Sequence, residues 1–165
     1  MKTITSLQHL MRITLTWLTC VILVGAVTIS GAHAANQEPP LQLLTAEEAA
    51  RPEPRSYGFA SPLSDKGPDI EIPELEATEA NPFALKIHLS PRDGAAPNLA
   101  TLRMESLKSP AIDLTPRILQ YVTQDGINID RVALPAGMYR FRVSVSDVRG
   151  RLTEKDFVIM VSAKF

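Results

Sequence analysis

The strongest alternation of apolar and polar positions runs from Met138 to Asp147. Tyr139, Phe141, Val143 and Val145 alternate there with Arg140, Arg142, Ser144 and Ser146. A period of two puts successive side chains on opposite faces of a strand, so the first set predicts a core face and the second a solvent face. Arg149-Gly150 predicts a hairpin into a partner strand over 154–162, with Phe157, Ile159 and Val161 sharing a face. Phe83 to Ser90 repeats the pattern, with Phe83, Leu85, Ile87 and Leu89 inward and Lys86, His88 and Ser90 outward, until Pro91-Arg92-Asp93-Gly94 turns the chain. Leu102 and Met104 alternate with Arg103 and Glu105. Shorter strands are predicted at Asp69–Ile72, which Pro73 interrupts, at Ile112–Leu114, and at Gly126–Ile129 after the Asp125-Gly126 turn. Thr115-Pro116 predicts a helix start, with Thr115 as N-cap and one turn through Tyr121. About seven short strands in roughly 95 residues form the pattern of a β-sandwich.

The N-terminal third carries different signals. Ile13 to Val27 is apolar apart from threonines and Cys20; Lys2 and Arg12 precede it, and Ala32-His33-Ala34 follows. A basic lead, an apolar run and a small-residue cut site predict a secretory signal peptide over 1–34. The run is shorter than the roughly 20 residues a membrane span needs, so no stable span is expected after cleavage. Removal after Ala34 takes Cys20 and Trp17 with it, which leaves no cysteine for a disulfide or a thiolate. Residues 35–67 hold Pro39, Pro40, Pro52, Pro54 and Pro62 and few apolar residues, so a disordered acidic tether is expected. Within it Thr45 and Glu48 form a capping box for a short helix over 46–51.

Charge divides the chain. From Ala35 to Asn81 there are three basic and ten acidic residues, a net of −7; from Pro82 to Phe165 there are twelve basic and eight acidic, a net of +4. The two halves attract one another, or the basic half meets an acidic partner. No Lys/Arg cluster of the kind nucleic acid requires is present, and no nucleic-acid partner is expected.

Leu134-Pro135-Ala136-Gly137-Met138-Tyr139, running into the alternating strand, then Arg149-Gly150-Arg151 and Phe157 to Val161, resembles the last two strands of bacterial immunoglobulin-like and fibronectin-III-like domains. The resemblance implies an all-β fold over 68–165: a single immunoglobulin-like antiparallel β-sandwich, with Tyr139 in a tyrosine corner bonded to the preceding loop. Glu47 to Ala50, Ser109-Pro110, Asp113 to Arg117 and Leu134-Pro135 together also resemble small uncharacterised exported proteins of Gram-negative bacteria, which implies the periplasm and no activity.

No residue set reaches a catalytic or cofactor site, and an enzyme is not expected. A Ser-His-Asp arrangement has to use His88, which lies outward between Lys86 and Ser90. A signal cut after Ala32 makes His33 the N-terminus, and His33 with His88 then offers a copper site of the periplasmic kind. Asp125, Asn128 and Asp130 supply oxygen ligands of the type calcium takes, but fit a plain hairpin turn. Arg140 and Arg142 point outward together, and Arg117, Arg149 and Arg151 fall near the ends of the same strands. Arginine suits carboxylate and phosphate, so these five outline a face for an envelope protein or an anionic polymer. The expected function is that of a non-catalytic periplasmic binding or accessory module, with copper handling through His33 and His88 as the alternative.

Overall fold

A computed structural model describes residues 38–54, 63–73, 75–79 and 81–163. The segments expected as signal peptide and cut site, with Cys20, Trp17 and His33, lie outside the described residues. The described elements in chain order are β1 (Leu41–Gln42), α1 (Ala46–Ala49), β2 (Asp69–Glu71), β3 (Glu76–Thr78), β4 (Phe83–Ser90), β5 (Pro97–Ser106), β6 (Ile112–Asp113), α2 (Thr115–Ile118), a 3-10 turn (Leu119–Tyr121), β7 (Val122–Thr123), β8 (Gly126–Ala133), β9 (Gly137–Asp147) and β10 (Leu152–Ser162).

The strands form two five-stranded sheets. One has the order β1-β8-β4-β2, with β7 also on β8; the other has the order β3-β10-β9-β5-β6. The β9–β10 hairpin is antiparallel and in register from Leu152 against Ser146 to Val161 against Gly137. Alternate residues of both sheets meet in one core. Leu85, Ile87, Ile127 and Ile129 come from the first sheet, and Leu102, Met104, Phe141, Val143, Val145 and Ile159 from the second. Phe141 is fully buried and stacks on Phe157 at a centroid distance of 5.4 Å. Side chains of this size each contribute about 1.5–3 kcal/mol by leaving water.

Two corrections to the sequence expectation concern strands. Both sheets are mixed rather than antiparallel, because β1 pairs parallel with β8 and β3 pairs parallel with β10. The strands beyond the expected seven are β1, β3 and β7, each of two or three residues, too short for an alternation to register. Pro73 accounts for the switch between sheets. It has no N–H for a ladder bond, so β2 ends before it and the chain crosses to β3.

A third correction concerns the expected tether over 35–67. Its described parts, 38–54 and 63–67, are both held by the body; in the second, the Lys66 and Gly67 N–H groups donate to the Leu152 carbonyl at 3.1 Å and the Glu154 N–H donates to the Ser64 carbonyl at 2.8 Å. β1 adds to β8 with Leu41 opposite Val132, the Leu43 N–H donates to the Ala133 carbonyl at 3.3 Å, and Leu43 and Leu44 are fully buried in the common core. Prolines and a low apolar count argue against an independent fold, but two adjacent leucines suffice where a core already exists. The capping box forms: the Glu48 N–H donates to Thr45 Oγ1 at 3.2 Å and the Thr45 N–H donates to Glu48 Oε2 at 2.9 Å. A helix of four residues is marginal by itself, and here the body holds it.

Two local readings acquire geometry. Thr115 does not cap α2. Its hydroxyl accepts the Met104 N–H of β5 at 3.1 Å, which fixes α2 to the second sheet. Tyr139 Oη donates to the Pro135 carbonyl at 3.0 Å. Gly137 has φ +151, and a Cβ there would stand 3.1 Å from Tyr139 Oη, so backbone conformation and ring both favour glycine.

Candidate functional site

The five arginines do not share a face. Arg140 and Arg142 project from the outer side of β9, half-buried, in the middle of the second sheet. Arg117 lies at the C-terminal end of α2, while Arg149 and Arg151 sit at the β9–β10 turn.

Arg117, Arg142 and Arg151 are engaged by carboxylates of the same chain. Arg142 Nε and Nη2 grip Asp156 across the hairpin at 2.7 and 3.0 Å. The Asp156 carboxylate, with Glu154 and Glu105 nearby, holds the Arg142 guanidinium more firmly charged than an ordinary arginine, against the opposing effect of burial. Arg117 forks onto Glu48 at 2.6 and 2.8 Å and also donates to the Leu43 carbonyl at 2.6 Å. Glu48 is thereby held at about 2, first through the Arg117 hydrogen bond and then through the Thr45 N–H. Arg151 Nε reaches the buried Asp147 carboxylate at 2.7 Å, and its Nη1 reaches Asp93 at 2.9 Å. Burial pushes the Asp147 carboxyl up, but the Arg151 N–H and guanidinium and the Arg149 N–H together bring it below the ordinary value. Arg149 is exposed at the turn.

The outer side of the second sheet is therefore amphipathic rather than basic. One half is an ionic row, with Glu105 opposite Arg142 and Arg142 opposite Asp156. The other half is apolar. Met138 faces Met160 across the hairpin, with Val158 two residues along β10 and opposite Arg140. These three are 52%, 66% and 49% exposed. Large apolar side chains next to one another on a solvent face mark interaction surfaces more often than single ones do, and methionines adapt to a partner's shape. A groove of about 660 Å³ opens beside Met160, lined also by Leu75, Ala77, Pro82 and Phe83. The outward apolar residues were legible: Val158 and Met160 fall between the inward Phe157, Ile159 and Val161.

A second constellation gathers where residues 38–54 meet the body. Lys108, only 8% exposed, donates from Nζ to Glu53 at 2.7 Å and stands 5.4 Å from the Tyr139 ring centroid. The Ser109 N–H donates to the Pro52 carbonyl at 3.0 Å. A nearly buried ammonium needs such a partner. Burial pushes the Tyr139 hydroxyl above its usual value, with a smaller push from Glu79.

No protein-family model and no curated protein sequence matches this chain.

The remaining candidates do not converge. His88 is exposed on β4, and His33 lies outside the described residues. Asn128 and Asp130 point outward from β8, while the Asp125 carbonyl is taken by the Leu89 N–H at 2.9 Å. Among the described residues no group of three or more His, Cys, Asp or Glu is placed to hold a metal ion, and no helix is long and apolar enough to cross a membrane.

Proposed function

We propose that this chain is an exported, non-catalytic binding or accessory module of the cell envelope, periplasmic after removal of residues 1–34. The proposed fold is immunoglobulin-like. Two features support that fold, and one departs from it. The order β2-β4-β8 against β10-β9-β5 matches the A-B-E and G-F-C order of such sandwiches. The Tyr139 hydroxyl bonds back to the loop before its strand, as a tyrosine corner does. The edge of β8 where a D strand would pair carries β1 and β7 instead.

The contact surface is the outer side of the β9–β10 hairpin. The observation that carries this reading is the apolar cluster of Met138, Val158 and Met160, exposed beside Arg140 and the Arg142–Asp156 pair. An apolar centre with a charged rim is the usual anatomy of a protein contact. The proposed partner is an envelope protein with its own apolar anchor and acidic margin. This modifies the purely anionic partner expected from charge, because Arg117, Arg142 and Arg151 already meet carboxylates in their own chain.

The test is capture from an envelope fraction with the exported chain as bait, run beside M138S/M160S and R140S/R142S. Loss of the captured protein with the first pair, and partial loss with the second that high salt reproduces, is expected. Capture unchanged by both pairs removes this face from consideration.

A further inference from the structure

The geometry points to the outer edge of β8 as a binding site for an acidic, leucine-bearing segment, filled within one copy by residues 41–53 and filled in trans by the same residues of a second copy. This inference is independent of the contact surface proposed above, which lies on the other sheet.

Among the described strands β1 lies at the end of its sheet, paired with β8. It can leave or enter without unthreading another strand. Beyond β1 the segment is held by discrete anchors. Leu43 and Leu44 enter the core, Glu48 forks onto Arg117, the Pro52 carbonyl takes the Ser109 N–H, and Glu53 meets Lys108. Residues 38–54 carry four acidic and one basic residue, against the net of +4 from Pro82 to Phe165. The segment and its receptor are thus complementary in shape, in edge pairing and in charge. Addition of a strand at a free edge is an established mode of peptide recognition.

Only residues 55–62 separate this segment from the next described residue, Leu63. With residues 1–34 removed, as proposed above, the segment becomes a terminal element of the kind that copies exchange, since the pairing and packing it makes within one chain can form equally between two. Docking within the chain has an effective concentration on the order of millimolar. The isolated copy therefore keeps its own segment, and exchange grows as copies are concentrated.

Charge reversal across Glu48 and Arg117 tests this in the full chain. E48R and R117E each set like charges against one another within a copy. In an exchanged dimer of the two, opposite charges face each other at both sites, where no copy alone can bring them together. Light scattering across a concentration series should show the mixture dimerising at least tenfold more tightly than either variant alone. The E48R/R117E double variant, whose pair closes within one copy, should stay as monomeric as the natural chain. E53K mixed with K108E repeats the design at the far end of the segment, in case either first variant folds poorly. Mixtures that remain monomeric in both designs overturn the inference.

Discussion

Arg117 and Arg142 both fork onto a carboxylate, yet they do different things. Arg142 and Asp156 are 14 residues apart on neighbouring strands of one hairpin, whose backbone already holds them together. Arg117 and Glu48 are 69 residues apart, and their pair joins the N-terminal segment to the turn that bridges the sheets. The first pair decorates a surface that would exist without it. The second belongs to a closure that also includes Leu43, Leu44 and the Lys108–Glu53 pair. Charge type alone did not distinguish them; the sequence distance and the apolar company of the partner do.

The largest effect should come from neither pair but from the core both rest on. Phe141→Ala empties a fully buried aromatic site and is expected to cost about 3–5 kcal/mol in denaturant unfolding. Leu44→Ala comes next, at about 2–4 kcal/mol. That value puts the segment on the same footing as the sheets, whereas a value near zero would make it a tether after all.

Glu48→Gln removes one charge of the closure and is expected to cost about 1 kcal/mol near neutral pH, reduced by the partial exposure of Arg117. Its pH dependence sharpens the point. The Glu48 carboxyl is depressed from 4.5 to about 2 in the folded chain, so its contribution is fully present above about 4.5 and is lost as pH falls towards about 2. Asp69, Asp113 and Asp147 are also held below their ordinary values, so the natural chain loses stability in acid for several reasons. The gap between the natural chain and E48Q isolates Glu48 and should close over that window. A gap that stays constant down to pH 2 would mean the fork contributes nothing to folding. The smallest effect belongs to Arg142→Ser, within about 0.5 kcal/mol, because the hairpin register does not need it.

The same contrast explains what the sequence made legible. The long strands were readable because Phe83 to Leu89 and Tyr139 to Val145 must alternate to serve one wet and one dry face. Tyr139 was readable as a corner because Leu134-Pro135-Ala136-Gly137 precedes it. The built-in segment was not readable: prolines flank it, its strand has two residues, and its helix has four. What holds it is a groove assembled from residues 108–134, and no local pattern in 38–54 reports that groove. The engagement of Arg142 was not readable for a related reason. Alternation gave the outward direction of Arg140 and Arg142 correctly, but the carboxylates opposite Arg142 depend on strand register, which a single strand does not encode.

The central claim is that residues 38–54 are part of the folded body. The most direct measurement compares the unfolding free energy of a chain beginning at Ala35 with that of one beginning at Arg55. The shorter chain loses β1, both buried leucines and the partners of Arg117 and Lys108, and it should be less stable by more than about 2 kcal/mol. Equal midpoints for the two chains would contradict the claim and return the segment to the role of a tether.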